Sequence, residues 1–306
     1  MPLRIAVIGV GHLGQHHARL LKAMPDVELV AVVDQNADRA AAVAEKYGTA
    51  ALSDASDVLG RVDAVTIATP TVTHVEIAIP FVAAGAGVLV EKPLASGLQE
   101  ADRLLQAAAR HGAVLAVGHT ERFNPAVAIA MPLIAGPRFI EIHRLGTFPE
   151  RSLDIDVIFD LMIHDLDLLL ALVKSPVASI EAVGVNVLTP RVDIANARLR
   201  FESGCIANVT ASRISRDRVR RARFFQHDAY VSIDYASQEV EVYRLASGNG
   251  GRPSIEGGRL EVARDEPLHR ELLDFVEAVR LRRRPGVSGQ DGRDALALAT
   301  RVAELI

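Results

Sequence analysis

Arg4-Ile5-Ala6-Val7-Ile8-Gly9-Val10-Gly11-His12-Leu13-Gly14 is the stretch on which the fold turns. A short continuous apolar run ends in G-x-G-x-x-G, and residues 14–24 then take up a helical period. That order reads as strand, tight loop, helix. Gly9 permits the turn, Gly11 lets the backbone come close to a pyrophosphate, and Gly14 lets the helix pack close to the strand. The helix N-terminus offers its N–H groups to an anion. Such a triplet standing alone can be no more than a turn. Here the next apolar run, Glu28-Leu29-Val30-Ala31-Val32-Val33, ends at Asp34, 20 residues beyond Gly14. A carboxylate at that distance is placed to take ribose hydroxyls. Gly9, Gly11, His12, Leu13, Gly14, Asp34 and Gln35 therefore form the candidate dinucleotide end. Asp34 repels a 2′-phosphate and Gln35 is not basic, so NAD is favoured over NADP, with Arg39 close enough to weaken the preference.

Outward from this stretch, strand and helix alternate to about residue 120. Strands are expected at 64–68, 87–90 and 114–117, and helices at 37–47, 73–84 and 97–111. Apolar strands separated by helices imply a doubly wound parallel sheet covered on both faces. Beyond residue 120 the pattern changes. Phe139-Ile140-Glu141-Ile142-His143-Arg144 alternates, a helix is expected over 156–173, and strands follow near 179–188, 194–201, 205–213, 229–235 and 239–245. This predicts an α+β domain with a large open, mostly antiparallel sheet. Gly248 to Pro253 reads as a surface loop, and amphipathic helices are expected over 267–281 and 291–305. The expected organisation is α/β, with one domain over 1–120 and a second over 121–306 whose last helix can return to the first.

The chain has 306 residues, 49% hydrophobic, with a formal net charge of -4, which speaks against nucleic acid as a partner. A lone cysteine, Cys205, suits a reducing cytoplasm. The N-terminus lacks a leader pattern, and no apolar run is long enough for a bilayer.

Arginine dominates the basic residues, and only Lys22, Lys46, Lys92 and Lys174 are lysine. A lysine can release a proton when buried; arginine cannot. Lys92 lies in Glu91-Lys92-Pro93 at a strand's carboxyl end, as do Thr69 and Pro70, with His74 just beyond. Ligands bind at such ends in open parallel sheets. Glu91-Lys92 could equally be a solvated ion pair. Asp160 and His164 stand four residues apart, on one face of a helix, within the apolar run Ile158-Phe159-Leu161-Met162-Ile163. Asp160 could orient the imidazole, which can take a proton near neutral pH. Asp165 could contact a ligand, while Asp167 could be structural. No matching ligand pattern argues for a metal. His16 and His17 suit a structural or cofactor-adjacent place. Arg213 to Arg223 holds six arginines. It reads either as a solvated edge strand or as a partner for phosphate, which arginine forks bind at two points.

These motifs together resemble the Gfo/Idh/MocA oxidoreductases: the glycine loop, Ala68-Thr69-Pro70 with His74, Glu91-Lys92-Pro93, Asp160-Leu161-Met162-Ile163-His164-Asp165, and the tail from Gly289 to Leu296. The resemblance covers nearly the whole chain. It implies hydride transfer at a sugar or cyclitol alcohol, with Lys92, Asp160 and His164 in the catalytic positions. Either Lys92 or His164 could be the immediate base. The family often has glycines before its aspartate; Ile155 to Phe159 has none. Gly118 to Pro125, Asp160-Leu161 with His164-Asp165, and Ser212-Arg213 are similar to bacterial UDP-N-acetylglucosamine 3-dehydrogenases. That likeness implies a UDP-sugar substrate, a product passed to an aminotransferase in lipid A or surface polysaccharide synthesis, and a homodimer or homotetramer. It adds Arg122 to the cofactor contacts. The substrate contacts it implies are Lys92, Glu121, Arg122, Asn124, Asp160, His164 and Arg213. A free sugar or a cyclitol such as inositol is the alternative substrate, and a non-catalytic NAD-binding sensor the alternative class.

Overall fold

The structure is a computed structural model describing residues 1–148, 155–247 and 253–306. It divides into two compact units: residues 1–120 with 268–296, and residues 121–267 with 297–306.

The first unit is built on a six-stranded parallel sheet. Its strands are β1 (Leu3–Ile8), β2 (Val27–Val33), β3 (Ala50–Leu52), β4 (Ala64–Ile67), β5 (Gly87–Glu91) and β6 (Leu115–Gly118), in the order β3-β2-β1-β4-β5-β6. The helices are α1 (Gly14–Ala23), α2 (Ala37–Tyr47), α3 (His74–Ala83) and α4 (Leu98–His111). β4, β5 and β6 are buried at every residue, as strands covered on both faces must be. β3 escapes the periodicity reading because it is three residues long with two of them exposed. From the far end of the chain, α7 (Pro267–Leu281) adds Leu272, Phe275 and Val276 to the core around Ile5, Val7 and Leu21.

The second unit holds an eight-stranded sheet. Its strands are β7 (Phe139–Leu145), β8 (Val177–Val185), β9 (Ile194–Phe201), β10 (Ile206–Ser212), β11 (Val219–Phe225), β12 (Ala229–Asp234), β13 (Glu239–Ser247) and β14 (Pro253–Leu260). The order is β14-β13-β12-β11-β7-β10-β9-β8, antiparallel except where β7 lies parallel to β10. Alternation along β7 buries Ile140, Ile142 and Arg144 on one face. The arginine-rich segment is not an edge. β11 pairs with β7 on one side and β12 on the other. Its charges mask it because only Ala222 and Phe224 point into the core. β14 likewise reads poorly, carrying Gly257 and Gly258 in its interior. Of the loop expected at 248–253, residues 248–252 lie outside the described residues.

α5 (Pro125–Ala130) opens this unit, and α6 (Ile163–Val173) carries His164. The helix expected over 156–173 is not uniform. Residues Ile158–Met162 form a π-helical turn that runs into α6. The last helix, α8, spans Gly289–Ala303. Among the described residues no helix is long and apolar enough to cross a membrane.

Candidate active site

The glycine loop has the shape its spacing demands. Gly9 has φ +83°, and a Cβ there would lie 2.7 Å from the carbonyl oxygen of Ala68. A Cβ on Gly14 would lie 1.7 Å from the carbonyl oxygen of Gly9. At Gly11 the nearest atom to such a Cβ is Arg39 Nη1, 3.9 Å away, so this side of the loop is open to an approaching ligand. α1 has no acidic residue in its first turn, so the positive end of its dipole is left for an anion. His12 and Leu13, at the loop's apex, are exposed. A pyrophosphate fits this cradle.

Asp34, at the end of β2, is buried, and Gln35 beside it is exposed. The Asp34 carboxylate accepts hydrogen bonds from Val10 N at 3.0 Å and Asn36 N at 2.9 Å, and so ties the glycine loop to the β2 end. Arg39 Nη1 stands 3.2 Å from it. The carboxylate therefore ties the glycine loop to the β2 end and holds the Arg39 guanidinium. Asp34→Gly should free Arg39 to receive a 2′-phosphate. We expect NADP affinity to rise and NAD affinity to fall, by about tenfold or more in their ratio, since one good charged hydrogen bond contributes about 1.5–3 kcal/mol. Calorimetric titration with both dinucleotides checks it; an unchanged ratio would remove Asp34 as the selector.

The ends of β4 and β5 are joined through His74. Its Nε2 lies 2.9 Å from the Thr69 carbonyl and its Nδ1 3.0 Å from the Pro93 carbonyl. Burial pushes its pKa below the usual histidine value, and a neutral ring donates to only one of these oxygens at a time. His74 thus fixes the Thr69-Pro70 and Lys92-Pro93 loops to each other.

Glu91 is held by His17, whose Nε2 lies 2.9 Å from Oε1 with both side chains buried. Burial opposes ionisation of Glu91, but the His17 hydrogen bond and then the Lys92 charge outweigh it and leave the pKa lowered. Lys92 itself is half-buried. The sequence puts His17 in a structural or cofactor-adjacent place and does not single out Glu271. Glu271, on α7, is 2% exposed. Burial and then the negative charge of Glu91 push its pKa well above the ordinary value near 4.5, toward the neutral acid. Its raised pKa reverses the usual carboxylate sign: wild-type stability falls as pH rises above the unfolded pKa, because only the unfolded chain releases this proton. Glu271→Gln should therefore melt higher than wild type at neutral pH, with a gap that widens from pH 5 to pH 8. A gap independent of pH would show that Glu271 is ionised in the folded protein.

In the second unit, Asp160 lies on the π turn and His164 in the first turn of α6, both half-buried. Single-turn π segments inside helices recur at functional sites. Nδ1 of His164 is buried. Glu121 and Arg122 turn toward α6. Glu121 Oε2 accepts from Arg144 Nη2 at 3.0 Å, and Arg122 forks onto Asp167 at 2.7 and 2.8 Å. Asn124 caps α5 through Ala126 N at 3.0 Å and donates to the Tyr235 carbonyl at 3.0 Å.

Arg213 is placed differently from an arginine that offers its fork to a ligand. It is 2% exposed, with Nε on Asp193 Oδ1 at 2.9 Å and Nη1 on the Ile155 carbonyl at 2.7 Å. Asp193 also accepts from the backbone of Val187, Leu188 and Thr189. This arrangement secures the segment entering the π turn. The exposed members of the arginine stretch are Arg216, Arg218, Arg220 and Arg221. Among the described residues no group of three or more His, Cys, Asp or Glu side chains could hold a metal ion.

Residues 3–119 match the oxidoreductase family with an NAD-binding Rossmann fold, and residues 143–231 match the GFO/IDH/MocA C-terminal domain. The chain is 40% identical over 302 residues to UDP-N-acetylglucosamine 3-dehydrogenase of Acidithiobacillus ferrooxidans, covering 98% of this chain and 96% of that protein. The solved structure of that enzyme superposes with a TM-score of 0.93 over 100% of this chain and 98% of its own. Myo-inositol 2-dehydrogenase of Thermotoga maritima is 29% identical over 97% of this chain and 94% of that protein. Levoglucosan dehydrogenase in complex with NADH, 21% identical, shares the fold with a TM-score of 0.90 over 100% of this chain and 97% of its own.

Proposed function

Because the chain belongs to the Gfo/Idh/MocA oxidoreductase family and binds NAD, we propose that it oxidises the C3 hydroxyl of UDP-N-acetylglucosamine to a ketone. The observation that carries this reading is the likeness, along nearly its full length, to an enzyme of that name. NAD, when bound, supplies the hydride acceptor. Gly9, Gly11 and Gly14 with the α1 N-terminus hold the pyrophosphate; His12 and Leu13 flank it, and Asp34 with Gln35 takes the ribose. Thr69 and Pro70, fixed by His74, and Glu91-Lys92 border the nicotinamide end. His164 accepts the substrate hydroxyl proton at Nε2, and Asp160 orients the imidazole and stabilises its charged form. Lys92 donates a hydrogen bond from Nζ to the reacting oxygen or relays its proton. Glu121, Arg122 and Asn124 support the substrate through α6 and α5, and Arg213 supports it by fixing the segment before the π turn. The exposed Arg216, Arg218 and Arg220 are the groups offered to a diphosphate.

A 3-keto sugar is a substrate for an aminotransferase, which places the enzyme ahead of amination in diamino-sugar synthesis for lipid A or a surface polysaccharide. The reading includes a cytoplasmic homodimer or homotetramer. The 29% identity to a myo-inositol dehydrogenase favours a cyclitol as the second reading. Purified enzyme with NAD and either UDP-N-acetylglucosamine or myo-inositol separates them. NADH formation with the nucleotide sugar alone supports the proposal, turnover with inositol alone selects the second reading, and turnover with neither would favour a sensor.

A further inference from the structure

Five buried or nearly buried ionic groups lie on or around the first turn of α6, beyond the catalytic pair. Arg144, on the core face of β7, reaches Asp165 with Nε to Oδ2 at 2.7 Å and Nη2 to Oδ1 at 2.8 Å. The same Nη2 takes Glu121 at 3.0 Å, and the guanidinium carbon lies 5.5 Å from the Tyr235 ring centroid. Two residues along, Asp167 accepts the Arg122 fork. Asp165 and Asp167 are 0% and 1% exposed, Arg144 4%. Two bidentate pairs therefore grip the helix at Asp165, the residue after His164, and at Asp167, two residues further on, from a central strand and from the Thr120–Phe123 turn.

Charged groups are seldom buried without return, because desolvating them costs several kcal/mol each and apolar residues would pack as well. Here the return is placement. The π turn at Ile158–Met162 changes the hydrogen-bond register just before His164, and side chains packed on the first turn of α6 act at that junction. Forks fix both distance and orientation. β7 is bonded on both sides, to β10 and β11, and makes a rigid base for Arg144. Burial raises the pKa of Asp165, and the Arg144 charge opposes that shift.

We infer that Arg122 and Arg144, through Asp167 and Asp165, are positioning residues that set the imidazole of His164 for proton transfer. The inference rests on the reading of His164 given above. Arg144→Ala would leave two buried carboxylates facing one another and is expected to unfold the chain, so the test uses the pair at the margin. Arg122→Met and Arg122→Lys are each made in wild type and in His164→Ala, with folding checked by circular dichroism. With UDP-N-acetylglucosamine and NAD, Arg122→Met should lower kcat by about ten- to a hundredfold, the scale of a small misplacement of a reacting group, with both KM values within about twofold. Arg122→Lys, which keeps the charge but not the fork, should recover part of the loss. In the His164→Ala background, Arg122→Met should cost nothing further. A raised sugar KM with unchanged kcat would make Arg122 a direct ligand contact and overturn the inference, as would an equal loss of kcat in both backgrounds. Near-normal turnover of His164→Ala by itself would overturn the reading of His164, and the inference with it.

Discussion

His164→Ala should turn over about 100- to 10,000-fold more slowly than wild type with the true sugar substrate, while binding NAD with unchanged affinity. A positioned acid–base group contributes that factor, about 3–5 kcal/mol of barrier. The dinucleotide end should be unaffected, because the residues that form its cradle, Gly9 to Gly14 and Asp34, belong to the first unit and His164 to the second. α6 is anchored in the core by Leu166, Leu168 and Leu169, so loss of the half-buried imidazole should leave the helix folded. Steady-state kinetics with fluorescence titration of NADH measures both quantities. Turnover within a fewfold of wild type would remove His164 from the chemistry.

Lys92→Arg should lose at least about 100-fold in kcat although the charge is kept. An ammonium is compact, points three donors and can give up its proton. The guanidinium is planar, longer and always charged. Lys92 is half-buried, its backbone N–H lies 3.3 Å from Glu91 Oε2, and Glu91 is in turn anchored to His17. That support fixes the backbone from which the side chain reaches. The decisive measurement is kcat across pH 6–10. Near-normal turnover at any pH would show that neither proton release nor the shape of the ammonium matters here.

What could be read in advance was what lies close together along the chain. The glycine loop and Asp34 were legible because turn, helix start and strand end are local, and the structure bonds Asp34 to the backbone of Val10 inside that loop. Arg144 was legible in phase: it alternates with Ile140 and Ile142, and a charge on the apolar face of a strand calls for a buried partner. Glu271 gave the same kind of signal, next to Leu272 on the apolar face of α7. Their partners were not legible. Arg122 and Asp167 lie 45 residues apart, and His17 and Glu91 lie 74 apart, so the three-dimensional fold alone pairs them. The π turn also left no trace, since Asp160 and His164 keep a helix-like spacing whichever carbonyl each N–H selects. Arg213 looked like a phosphate fork because its local company is basic. Asp193, 20 residues earlier, determines its role.

The return of α7 to the first unit has a bearing on biosynthesis. Residues 1–120 leave the ribosome long before Leu272, Phe275 and Val276, which pack against α1 and β1. The nascent sheet therefore waits with an apolar flank uncovered while the whole second sheet is translated. Its completion comes only when residues up to 296 have emerged. The hydrophobic core beneath the dinucleotide cradle is therefore begun early in translation and closed late.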